Sequence, residues 1–206
     1  MPNAKQAMIT NQLKNRGIVE KDLIDAFLSI DRTEFMPAIF KKAAYTDIEI
    51  PLFDGAILRP FVIGKIAQFI LNFMKNKDIL VVGDVSGYTA TLFSNISKTC
   101  TIGTMSNIST EYLRNKVSLK VIQIYDLNEK FDLIFFDSGF YKKETITNIA
   151  NNILNQEGCI IKLSTKLSPE ISSMQSEFFD TSISAEFSTK SIEILKMPLF
   201  LNSNYR

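Results

Sequence analysis

The chain contains no histidine and no tryptophan, and only two of its 206 residues are cysteine. Without an imidazole it can assemble neither a Ser-His-Asp triad nor a zinc site that uses histidine, and two cysteines among scattered carboxylates make a poor metal cage. Cys100 and Cys159 each fall within an expected strand, which reads as two small core residues rather than a disulfide. An excess of one charge is missing too: 23 Lys+Arg against 22 Asp+Glu leave +1, with no local basic cluster. That excludes the basic surface of a nucleic-acid binder. Nor is there a long apolar run. The most apolar segment, 61–71, is interrupted by Lys65 and Gln68, and the first residues lack the basic-then-apolar build of a signal peptide. The expectation is a cytoplasmic protein with no membrane partner. A hydrophobic content of 46% over 206 residues fills the core of one α/β domain, with an N-terminal helical and loop elaboration over 1–60 and the core over 61–200.

What the sequence does carry begins at Asp78. Ile79, Leu80, Val81 and Val82 form a continuous apolar run that stops at Gly83 and crosses a short polar turn. The pattern resumes at helical spacing through Ala90, Phe93 and Ile96, with Ser86 placed to cap the new helix. This predicts strand, glycine-bearing turn, helix. In an open α/β sheet the first such turn aims backbone N–H groups and a helix N-terminus at a ligand, so a nucleotide-like cofactor is expected there. The dinucleotide pattern would need Gly at 85 and 88, and the P-loop would need Gly-Lys at 88–89, so NAD and ATP fit poorly.

Upstream, 4–15 and 20–30 read as helices separated by Gly17, the second with Leu23, Ile24, Phe27 and Ile30 on one face, flanking or covering the sheet. The Pro-bounded stretches 31–37 and 44–52 read as irregular, loop-rich chain. Asp54-Gly55 is a turn signal, and Pro60 opens a helix whose buried stripe is Ile63, Ile66, Ala67, Ile70, Leu71 and Met74. From Asp78 onward, strands are predicted near 79–83, 99–103, 119–124, 131–136 and 158–163, with helices near 87–97, 106–116 and 143–155. That alternation implies βαβ units and a mostly parallel sheet. Ile183, Ala185 and Phe187 alternate with polar neighbours, and a second strand through Ile192 and Ile194 would complete an antiparallel hairpin at one sheet edge.

The order of elements resembles the class I S-adenosylmethionine methyltransferase fold, which is Rossmann-like. The strings Gln12-Leu-Lys-Asn-Arg-Gly-Ile18, Asp31-Arg-Thr-Glu-Phe-Met-Pro37, Ala44-Tyr-Thr-Asp47, Arg59-Pro-Phe-Val62, Val82-Gly-Asp-Val-Ser-Gly-Tyr88 and Leu154-Asn-Gln-Glu-Gly158 resemble, in order and spacing, the protein-L-isoaspartate O-methyltransferase family. The resemblance covers roughly residues 5–165. It implies S-adenosylmethionine as cofactor and proteins carrying isoaspartyl residues as substrate. It also implies that Gly83, Asp84, Val85, Gly87, Tyr88, Gly103 and Asp137 lie at the cofactor site, with Leu58 and Arg59 in the substrate loop.

Several of these positions depart from the family pattern. Val85 stands at the middle glycine of the turn, Val81 at an acid before it, and Gly103 at the acid that ends the second strand and holds the ribose hydroxyls. Ala56, Ile57, Leu58 and Arg59 align with the family's Thr-Ile-Ser-Gln, so both hydroxyls of that string are replaced. Each candidate has a plainer reading beside it. Asp84 either bonds the cofactor or is a turn residue facing water, and Asp137 is a site residue or a helix cap. Arg59 recognises an acidic substrate or pairs with Asp54. Tyr88 packs over the turn or in the core, and Tyr45 is open in the same way. Methyl transfer to a carboxylate needs no general base, so the missing histidine is compatible with it. Two functions follow: a carboxyl methyltransferase acting on damaged protein, or a relative that retains the fold as a binding or scaffold module without catalysis.

Overall fold

The computed structural model describes residues 3–137, 143–167, 179–187 and 197–198. Helix α1 (Ala4–Met8) starts at Asn3, whose side chain accepts from the Gln6 N–H at 2.9 Å. The helical path continues through a wide turn at Ile9–Leu13 and a tight one at Lys14–Arg16, then stops at Gly17 with φ 82°. The 4–15 segment is therefore helical but not one regular α-helix. Helix α2 (Lys21–Ser29) buries Leu23, Ile24, Ala26 and Phe27.

The two stretches read as irregular require correction. In 31–37, Asp31 Oδ1 accepts from the Thr33 N–H and hydroxyl at 2.9 and 2.7 Å and starts a tight helical turn, Arg32–Phe35. In 44–52, Ile50–Leu52 is strand β1, antiparallel to β2 (Gly55–Ile57) across the predicted Asp54-Gly55 turn. Pro51 pointed away from a strand, but a proline without an N–H is tolerated at the edge of a two-stranded ribbon. The ribbon is pinned by Ile50 opposite Ile57, both buried.

Helix α3 (Pro60–Met74) has its proline in the first turn, and all six residues of the expected stripe are buried. Phe61, Val62 and Gly64 are buried as well, because the N-terminal helices cover the side turned away from the sheet. At Gly64 an added Cβ would lie 2.6 Å from Ile18 Cδ1.

The main sheet comprises β3 (Asp78–Val82), β4 (Thr99–Thr104), β5 (Lys120–Gln123), β6 (Phe131–Phe136), β7 (Leu154–Leu167), β8 (Phe179–Phe187) and β9 (Met197–Pro198). Their order is β5-β4-β3-β6-β7-β8-β9, with β3 to β7 parallel and the last two antiparallel. Helices α4 (Tyr88–Ser94), α5 (Asn107–Arg114) and α6 (Lys143–Ile153) lie between strands. The predicted helix at 143–155 ends earlier because Leu154 already pairs with Phe131, ahead of a register shift in β7. The alternating 182–187 stretch is within β8, whereas Ile192 and Ile194 lie outside the described residues.

The central strands read as unbroken apolar runs because both faces are covered. Ile79, Val81, Leu133 and Phe135 join one core cluster with α3 and the N-terminal helices; Leu80, Val82, Ile134 and Phe136 join another with Ile146, Ile149 and Ile153 of α6. Cys100 and Cys159 are buried and unbridged in these strands, and burial pushes the Cys159 thiol up to about 12. Among the described residues no helix is long and apolar enough to cross a membrane, and no cluster of three metal-ligating side chains occurs.

Chain order turns back at β3. The chain builds outward from β3 to β5, then crosses to β6 on the other side of β3. In open α/β sheets the crevice at the carboxyl ends of the strands where order reverses is the ligand position.

Candidate functional site

The carboxyl end of β3 is tied to both neighbours: the Gly83 N–H donates to the Gly103 carbonyl at 3.2 Å, and the Asp137 N–H donates to the Val82 carbonyl at 2.9 Å. The chain then turns through Gly83 and Gly87, with φ of 86° and 80°, a backbone region that L side chains adopt only at a cost. Between them Asp84 organises the turn. Its Oδ1 accepts from the Ser86 N–H at 3.1 Å, the Ser86 hydroxyl at 2.8 Å and the Gly87 N–H at 2.8 Å, while Oδ2 accepts from the Ala90 N–H at 2.9 Å. Burial pushes its carboxyl above the ordinary range, and those donors pull it back.

Asp84 is therefore not a turn residue facing water, since the chain needs an acceptor for donors that the protein has buried. Ser86 contributes a smaller cap by accepting from the Tyr88 N–H at 3.0 Å.

Asp137 follows β6 beside this turn. Its Oδ1 accepts from the Thr89 hydroxyl at 3.2 Å, and its Oδ2 is buried with no partner among the described residues. Burial and then the nearby Asp84 carboxylate push Asp137 well above the usual carboxylate range. Asp137, with one donor, holds its proton to higher pH than Asp84 with several. A raised native value means that the folded state binds the proton more tightly than the unfolded chain. Stability accordingly falls as pH rises from about 4, the unfolded value, through the native one, by about 1.4 kcal/mol for each pH unit crossed. Asp137→Asn removes that loss. In urea titrations the variant should be more stable than wild type at pH 8, with the difference vanishing toward pH 4; a less stable variant at pH 8 contradicts this assignment.

Arg32 is buried under the same region. Its Nη2 donates to the Leu58 carbonyl at 2.8 Å, its guanidinium carbon lies 4.6 Å from the Tyr88 ring centre, and Nε and Nη1 have no hydrogen-bond partner among the described residues. Tyr88 also meets Phe35 edge-on at 5.4 Å. It is a core residue. The Tyr45 hydroxyl donates to Asp31 Oδ1 at 2.8 Å, so Tyr45 fixes the turn preceding Arg32.

A cleft of about 440 Å³ opens above the glycine turn, within the roughly 300–1,000 Å³ typical of small-molecule sites. It is lined by Gly83, Asp84 and Val85 of the turn, by Phe53, Asp54 and Gly55 at the β1–β2 tip, and by Thr104, Met105, Ser109 and Leu113. Val85 supports the hairpin: a Cβ on Gly55 would lie 3.3 Å from Val85 Cγ2. Asp54 Oδ2 accepts from the Ser109 hydroxyl at 3.0 Å and fastens the same hairpin to α5.

Of the residues singled out from the sequence, Gly83, Asp84 and Val85 line this cleft, while Leu58, Arg59, Gly87, Tyr88, Gly103 and Asp137 do not. Leu58 is buried in the core, where the alignment with a hydroxyl-bearing loop had suggested an open position. Arg59 begins α3 and makes no ion pair with Asp54; Ser109 takes that carboxylate instead. Gly103 faces the apolar cluster of Leu80, Val82 and Ile124, where a Cβ would meet Leu80 Cδ1 at 3.2 Å. The cleft residues Phe53, Met105 and Ser109 were not singled out. The spacing of Ser106 and Ser109, whose N–H is capped by the Ser106 hydroxyl at 3.1 Å, marks the start of the helix that carries Ser109.

A five-stranded parallel core that reverses direction at its first strand, carries a glycine turn at that strand's carboxyl rim and ends in antiparallel strands defines a Rossmann-like class I methyltransferase fold. A Plasmodium falciparum crystal structure, assigned as a protein-L-isoaspartate O-methyltransferase in complex with S-adenosyl-L-homocysteine, shares this fold with a TM-score of 0.68 at 17% identity, over 96% of this chain and 95% of that one. The family model for protein-L-isoaspartate(D-aspartate) O-methyltransferase matches residues 3–131. The chain belongs to that family. A Petrotoga mobilis protein-L-isoaspartate O-methyltransferase is 36% identical over 90 residues, 43% of this chain and 42% of the relative. A Jannaschia relative of the same name is 29% identical over 145 residues, 68% and 64% of the two chains. The matched stretch spans less than two thirds of these relatives.

Proposed function

We propose that this protein is an S-adenosylmethionine-dependent carboxyl methyltransferase acting on isoaspartyl residues of damaged proteins. The observation that carries the reading is the Asp84-stapled turn at the sheet's reversal point, which faces a cleft of nucleoside-cofactor size. The residues present fit such a group. Asp84 holds the turn rigid, the left-handed Gly83 lets the backbone pass close, and Asp137 beside the turn has a buried Oδ2 with no partner among the described residues, a carboxyl that a cationic ammonium would hold in its ionised form. Val85 narrows one side of the cleft without filling it.

When bound, the cofactor supplies an electrophilic methyl group on a sulfonium. The acceptor carboxylate, with a pKa of about 4, is ionised at neutral pH, so no residue of the chain has to remove a proton. The protein's task is to position the two groups and exclude water, and that contribution reaches roughly 7–11 kcal/mol in favourable intramolecular reactions. Arg59, half-buried at the start of α3, supplies the cation that would recognise the acidic acceptor.

The test is transfer of labelled methyl from S-adenosylmethionine to a peptide with one isoaspartyl residue and to its aspartyl twin. Base-labile label is expected in the isoaspartyl peptide alone, with Arg59→Ala raising KM for peptide more than it lowers kcat. Equal labelling of the two peptides, or of neither, removes the proposal.

A further inference from the structure

Two carboxylates line the cleft, and their circumstances differ. Both oxygens of Asp84 are occupied by the turn's own donors. Asp54 lines the cleft from the β1–β2 tip and is exposed. Its Oδ2 accepts from the Ser109 hydroxyl at 3.0 Å, which in turn receives the Ser106 hydroxyl at 3.0 Å, and its Oδ1 makes no hydrogen bond among the described residues. The Thr104 hydroxyl is engaged with Thr110 and the Ile122 carbonyl.

In open α/β nucleotide folds a carboxylate about 20 residues beyond the first glycine of the turn takes the ribose hydroxyls. Here that position is Gly103, twenty residues after Gly83. The surroundings of Gly103 are apolar: an added Cβ would lie 3.2 Å from Leu80 Cδ1 and 3.5 Å from both Ile124 Cδ1 and Val82 Cγ2. The end of β4 thus offers apolar surface where an acceptor is needed. A vicinal diol leaving water brings two O–H donors, each of which must find an acceptor. A carboxylate with one oxygen open and the other oriented by a serine provides them.

We propose that Asp54 is the ribose-binding carboxylate of this protein, supplied across the cleft by the β1–β2 hairpin rather than from the second parallel strand. Ser109 is a positioning residue that sets the Asp54 rotamer. This inference rests on reading the cleft as the S-adenosylmethionine site.

The test is calorimetric titration of the full chain with S-adenosylhomocysteine and with its 2′-deoxyadenosyl analogue. Wild type should favour the ribose ligand by about tenfold or more, the preference expected from charge-assisted hydrogen bonds. Asp54→Asn, isosteric and at an exposed turn, should keep the urea midpoint and weaken binding of the ribose ligand more than of the deoxy ligand, bringing the preference to within about threefold. Ser109→Ala should lie between the two. An undiminished preference in Asp54→Asn overturns the Asp54 assignment and leaves the cofactor reading standing, as does a wild-type preference near one. Failure of folded wild type to bind either ligand overturns both.

Discussion

Replacing Asp84 by alanine should cost the fold at least about 3 kcal/mol and abolish ligand binding at the cleft. The substitution removes the acceptor for three backbone N–H groups and one hydroxyl in a buried turn. A buried donor left unpaired costs about 1–3 kcal/mol. Four such donors sum to about 4–12 kcal/mol, and water entering the space left by the carboxylate recovers part of it, which leaves a loss of at least about 3 kcal/mol. Against a typical total stability of about 5–15 kcal/mol, that is enough to populate unfolded chain at moderate temperature.

Asp84→Asn separates the contributions. A carboxamide oxygen can keep the three bonds now made to Oδ1, whereas its NH₂ cannot accept from the Ala90 N–H. The asparagine variant should therefore be destabilised by about 1–2 kcal/mol and retain weakened binding. Urea unfolding followed by circular dichroism orders the three proteins as wild type, Asn, Ala. An alanine variant as stable as wild type would mean that the turn stands without its staple.

Gly87→Ala should be nearly as damaging, for two reasons that can be separated. A left-handed conformation costs an L residue about 1–2 kcal/mol, and Gly87 sits at φ 80°. The new methyl would also lie 2.5 Å from Val117 Cγ1 and 3.4 Å from Leu113 Cδ2, and overpacking of that kind costs about 1–3 kcal/mol. The combined loss is about 2–5 kcal/mol. Adding Val117→Ala to Gly87→Ala removes the closer contact but not the backbone cost, so the double variant should recover stability relative to the single one without reaching wild type. If the second substitution gives no recovery, the contact with Val117 is not what Gly87 protects.

The parallel core was legible because strands buried on both faces are written as unbroken apolar runs, and 79–82 and 131–136 have no polar interruption except Asp132. The glycine turn was legible for the same reason in reverse: only a break in such a run requires Gly83. The β1–β2 hairpin was missed because Pro51 suppresses the strand signal locally, while the pair that holds the ribbon, Ile50 and Ile57, is seven residues apart and takes meaning only from the packing beneath it.

The candidate site was only half visible. One part of its lining is contiguous in sequence, at Gly83 to Val85, but the rest comes from the hairpin, the end of β4 and α5, and a window on the sequence cannot bring Asp54 to Ser109. The buried state of Asp84 was hidden too, because an aspartate in a turn has the same local sequence whether it meets water or four donors of its own chain. Val85 stands where the family turn has its middle glycine. In the structure its side chain is matched by Gly55 on the facing hairpin, a compensation thirty residues away.

The central claim is that the Asp84-stapled turn and the hairpin above it enclose a nucleoside-cofactor site. Titrating the folded wild-type chain with S-adenosylhomocysteine in a calorimeter tests it most directly, with Asp84→Asn beside it. Saturable binding at one ligand per chain, weakened in the variant, is the predicted result; no heat of binding at millimolar ligand from a cooperatively folded wild-type protein would contradict it.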